Sequence, residues 1–123
     1  MVVLVAHAVM AVLAMIAAYL QLNDPDPLRW VALYMGCAAV AFSYACQRPA
    51  RRLALGMALV AAAWALAIVP ELIGRWGPGQ LLHAMVPNHP EIEYGREFGG
   101  LVIVASYCAL SYLWRARPAA ARR

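Results

Sequence analysis

Four long apolar runs, at residues 2–22, 28–46, 53–69 and 94–114, fill most of the chain, and nearly every charge lies between them or at their ends. A helix crossing a bilayer core needs about 20 mostly apolar residues, because lipid offers its backbone no hydrogen-bond partner. Each run meets or approaches that length. Composition agrees, with 65% of residues hydrophobic and 13% charged, where soluble domains are roughly half apolar and a quarter charged. The expected fold class is therefore all-α: a polytopic membrane protein, a four-transmembrane-helix antiparallel bundle, forming one domain over residues 1–123. The connections at 23–27 and 47–52 are short, which predicts that runs one and two, and runs two and three, are antiparallel neighbours. The third connection, 70–91, contains an apolar stretch at 80–86 too short to cross. It suits a short interfacial segment over the outer mouth of the bundle. The first run lacks a basic stretch before it and exceeds a usual signal-peptide core, so it is read as a helix of the bundle.

Charge assigns orientation. All six acids, Asp24, Asp26, Glu71, Glu91, Glu93 and Glu97, fall in or beside the first and third connections, with Arg29, Arg75 and Arg96. The other seven arginines, Arg48, Arg51, Arg52, Arg115, Arg117, Arg122 and Arg123, occupy the second connection and the tail with no acid. Short loops rich in arginine stay cytoplasmic, which predicts both termini cytoplasmic and the acidic loops periplasmic. Ten basic residues that are all arginine, with abundant alanine, point to a GC-rich bacterial coding bias and hence a bacterial inner membrane. A pI near 9.3 would suggest nucleic acid in a soluble protein. Here the arginines flank apolar runs without a basic–aromatic surface, so nucleic acid is excluded as a partner. The expected partners are membrane lipids and a second copy or another membrane protein. Trp30 and Trp76 should mark the outer interface and Trp114 the inner one, while Trp64 falls mid-span as a packing residue. Cys37, Cys46 and Cys108 form no C-x-x-C pair and read as small packing residues.

The chemistry-bearing residues gather at the acidic end. Pro25 and Pro27 stiffen the Asn23–Asp24–Pro25–Asp26–Pro27 turn. Asp26 before Pro27 also reads as an N-cap and first-turn pair for the second helix. Glu93 and Glu97 are four apart and share a helix face, where like charges repel. Arg96 or a metal ion should therefore sit beside them. Gly99 and Gly100 would let the first or second helix approach, bringing Asn23 and Asp24 toward the glutamates. An oxygen-rich set of Asn23, Asp24, Asp26, Glu93 and Glu97 suits a divalent cation such as calcium. His83 and His89, if folded over it, would shift the preference to zinc or copper. Gln21, Tyr94 and Arg96 are the candidate contacts to a small or lipid-like ligand beside that site. His7, Ser43, Tyr44, Tyr107 and Ser111 fall at similar depth nearer the arginine end, which predicts a hydrogen-bonded contact between helices. No nucleophile elbow, C-x-x-C or phosphate-binding glycine loop occurs, so no catalytic residue is assigned.

Gln21-Leu22-Asn23-Asp24-Pro25-Asp26 at the end of the first run, with Glu93-Tyr94-Gly95-Arg96-Glu97-Phe98-Gly99-Gly100 opening the last, resembles the transmembrane protein 220 family. The resemblance spans about Met10 to Trp114 and includes the four-span layout. It implies Asn23, Asp24, Pro25, Asp26, Arg96 and Glu97 as shared polar residues, and it supplies no reaction. Three functions remain in competition. One is a membrane protein whose acidic outer face holds a cation, a small molecule or a lipid-like ligand. Another is a structural or accessory subunit whose Arg96–carboxylate network stabilises the bundle rim. The last is a membrane-embedded metal-dependent hydrolase. A transporter is disfavoured, since no charge falls near mid-span to mark a pathway.

Overall fold

The computed structural model describes residues 1–73 and 90–114, with the side chains of 90–93 excepted. The described residues form α1 (Val2–Leu20), α2 (Pro27–Ala45), α3 (Arg51–Leu72) and α4 (Pro90–Leu113), with a single 3-10 turn at Gln21–Asn23 and no strand. The chain is a helical bundle. Three stretches, Val2–Asn23, Pro27–Ala45 and Arg51–Leu72, are long and apolar enough to cross a membrane, at 22, 19 and 22 residues. At 1.5 Å per residue they reach about 28–33 Å, the thickness of a bilayer core. α4 is as long, but its first two turns carry Glu91, Glu93, Arg96 and Glu97, and its apolar portion begins only at Phe98. The interfacial segment expected at 80–86 lies outside the described residues.

Small residues at helical spacing decide how the helices meet. α1 buries His7, Ala11, Ala14 and Ala18; α3 buries Ala54, Ala58, Ala61 and Ala65. α4 buries Leu101, Val104, Cys108 and Ser111. Each set repeats every three or four residues, so each is one stripe along its helix. Lipid tails are as apolar as leucine, so close van der Waals packing takes over the role that hydrophobic burial has in water. Alanine stripes permit that approach. The tightest pairings are α1 with α2 and α3 with α4, while α2 also touches α3 and α4. The short connection at 46–50 therefore joins helices that only brush past each other, and α3 gives its alanine stripe mainly to α4. Side-chain contacts fix the directions: His7 meets Tyr44, Trp30 meets Trp64, and Arg51 reaches Tyr112. Consecutive helices are thus antiparallel, and α2 runs parallel to α4 at the centre.

Two close approaches locate α2. A Cβ added at Gly36 would fall 2.6 Å from the Met57 sulfur on α3. One added at Gly100 would collide with the Tyr34 hydroxyl, so α4 lies against α2 at this point because residue 100 is glycine. Among the described residues nothing lies within 4 Å of a Cβ added at Gly99, and of the expected pair it is Gly100 that serves the approach. Cys37 and Cys108 are fully buried and remain free thiols in the core that α2 and α4 share. Cys46 is exposed at the end of α2.

Candidate functional site

The turn between α1 and α2 follows from its prolines and aspartates. Asp24 is extended, at φ −74° and ψ 147°, as a residue before proline must be. Its Oδ1 accepts the Asp26 backbone N–H at 3.1 Å, an Asx turn that closes the loop on itself. Asp26 occupies the N-cap position and Pro27 the first helical turn, but the Asp26 side chain makes no capping hydrogen bond. Its carboxylate instead pairs with Arg29, one turn along α2. The Arg29 side chain is 63% exposed and that of Asp26 50%, so the ion pair is worth only a few tenths of a kcal/mol.

Arg29 has a second function. Its guanidinium lies over the Trp64 ring of α3 at 5.6 Å, and Trp64 packs on Trp30 of α2 with centroids 4.6 Å apart. Trp30 in turn stacks on Tyr34 at 6.3 Å. A ledge of Asp26, Arg29, Trp64, Trp30 and Tyr34 thus ties the acidic turn to α3. Trp30 is buried, not a belt residue facing the interface, and Trp64 lies within reach of the first turn of α2. Trp76 lies outside the described residues.

α4 reaches the same ledge from the other side. Tyr34 abuts Gly100, and the charges of Arg96 and Glu97 act on its hydroxyl through space. Arg96 is exposed, Glu97 and Tyr94 are half-buried, and Gln21 is half-buried at the end of α1. Asn23 is exposed and Asp24 half-buried. No ion pair joins Asp24 to Arg96 among the described residues. Those residues also contain no group of three or more His, Cys, Asp or Glu gathered to hold a metal. The Glu93 side chain, His83 and His89 lie outside the described residues. The parts of the ledge that sequence reasoning missed are Arg29, Tyr34 and the role of Trp64. The Asp26–Arg29 spacing of three was a readable signal; nothing local tied Trp64 to either.

A second polar cluster lies toward the arginine-bearing end. His7 Nδ1 and the Tyr107 hydroxyl are 2.6 Å apart, joining α1 to α4, and the buried Ser111 lies one turn on from Tyr107. The Tyr44 ring packs against His7 at 5.1 Å, and the buried Tyr44 hydroxyl has no hydrogen-bond partner among the described residues. Ser43 stands apart from the cluster: its hydroxyl donates to the Val40 carbonyl at 2.6 Å and accepts the Ala50 N–H at 3.1 Å. The expected interhelix contact forms, with Ser43 used to build the connection instead.

The family model described as "Transmembrane family 220, helix" matches residues 13–113. That stretch contains both halves of the ledge and all of the second cluster except His7. No curated protein and no solved structure matches the chain.

Proposed function

The chain belongs to transmembrane family 220, and from that premise we propose that it is a structural or accessory membrane subunit whose charged rim is committed to holding the bundle together. The observation that carries this reading is the engagement of the turn carboxylates: Asp24 closes its own turn, and Asp26 pairs with an arginine seated on Trp64. The rim charge is Arg29 as well as the Arg96 first expected. The arginine-bearing connection faces the cytoplasm of a bacterial inner membrane, the acidic turn faces the periplasm, and the partners are lipids with a second copy or another membrane protein.

A cation-holding face is the second reading, built from Asn23, Asp24, Glu93 and Glu97 with Asp26. What favours it is that the Asp24 turn leads into α2 and the Glu97 charge acts on Tyr34, two turns along the same helix. A hydrolase reading adds His83 and His89 as zinc ligands to the same face.

Melting of the purified protein separates these readings. Asn retains an acceptor oxygen for the Asp26 amide, so the structural reading expects Asp24→Asn to melt like the parent. It expects Arg29→Gln to lose about 1 kcal/mol, from the cation–π contact and the exposed pair together. Calcium, zinc and chelator then change nothing. Stabilisation by calcium or zinc that disappears in both Asp24→Asn and Glu97→Gln overturns the structural reading and establishes the cation face.

A further inference from the structure

Tyr44 is the second-to-last residue of α2 and only 5% exposed, yet among the described residues its hydroxyl is without a hydrogen-bond partner. Native proteins pair nearly all such groups, because a buried O–H loses its water without recompense. Neighbouring groups are already engaged. Tyr107 is held by His7, and Ser43 by Val40 and Ala50. Beside Tyr44, α1 and α4 meet through the His7 and Tyr107 side chains without close backbone approach. A chain of methylenes can enter such a seam at less cost than between helices in backbone contact.

We propose that the Tyr44 hydroxyl donates to the carbonyl oxygen of an acyl chain that enters the bundle between α1 and α4 near their arginine-bearing end. Three observations select that chemistry. The orphaned group is a hydroxyl whose unused O–H calls for an acceptor. The charge of Arg51, which donates to the Tyr112 carbonyl at 3.0 Å, acts on Tyr44 and also favours an acceptor there. Tyr44 sits one turn from the polar connection carrying Arg48, the depth at which acyl carbonyls lie in a bilayer. The carbonyl can come from a free fatty acid or from an ester-linked bilayer lipid.

The test uses the full chain in nanodiscs of ether-linked phosphatidylcholine, whose chains carry no carbonyl. A photoreactive diazirine palmitate should label the wild type saturably, at residues of α1 and α4 flanking His7 and Tyr107 when mapped by mass spectrometry. Tyr44→Phe keeps the ring and removes only the orphaned hydroxyl. It should weaken labelling about tenfold, the loss of one hydrogen bond, with an unchanged or raised melting temperature. Competition by palmitate alone, weakened again in Arg51→Gln, identifies a free acid; competition by ester-linked phosphatidylcholine identifies bilayer lipid. Equal labelling of wild type and Tyr44→Phe, unsaturable labelling, or adducts mapped elsewhere would overturn the proposal and leave the hydroxyl to water.

Discussion

Gln47 has a positive φ of 59°, a left-handed conformation that the Cβ of glutamine disfavours. The reason lies in how α2 ends. The Gln47 amide donates to the Tyr44 carbonyl at 3.0 Å and the Arg48 amide to the Ser43 carbonyl at 2.8 Å, the two bonds of a Schellman motif. Glycine usually fills this position. Gln47→Gly should therefore leave the fold intact and raise stability by up to about 1 kcal/mol, the left-handed strain relieved less glycine's own entropy cost. A lowered melting temperature would mean that the glutamine side chain contributes something the backbone geometry does not. Legibility at this scale was uneven. Pro27 announced Asp26 as the N-cap position, since proline favours the first turn and needs a cap before it. The Asp26–Arg29 spacing offered the carboxylate a partner one turn along, but spacing could not decide between that cation and the helix terminus, because for an exposed acid the two differ by only a few tenths of a kcal/mol.

Helix contacts depend on faces, and faces are harder to read than spans. Apolar length alone marked α1, α2 and α3. The short connection read at 47–52 suggested α2 and α3 as close neighbours, but a loop constrains only the ends it joins. The alanine stripe of α3 turns toward α4, and α2 is pinned to α4 by Gly100 against Tyr34. Gly100→Ala adds a methyl group in collision with the Tyr34 hydroxyl and should cost about 1–3 kcal/mol, as overpacking does. Tyr34→Phe removes the obstructing oxygen, so the double variant should recover most of that loss. Additive losses in the double-mutant cycle would show that the two side chains do not meet. The matched depth of His7, Tyr44, Tyr107 and Ser111 was legible for a related reason: a fixed rise per residue sets depth, whereas pairing depends on helix rotation, which a sequence does not display.

At the scale of the whole molecule, one end gathers the acidic turn, Arg29 and the Trp30–Trp64 pair, and the other gathers Arg51, Tyr112 and the 46–50 connection. A bundle built this way has two chemically unlike faces, and the account requires a membrane between them, with the arginine-bearing face in the cytoplasm. The cysteines provide the probe, because Cys37 and Cys108 are buried and Cys46 is exposed at the arginine-bearing end. Labelling with a membrane-impermeant maleimide would compare native Cys46 with Asn23→Cys placed in a Cys46→Ala background. The account predicts that Asn23→Cys is labelled in spheroplasts with intact inner membranes, and that Cys46 is labelled only after that membrane is opened. Labelling of both positions from the same side would contradict it.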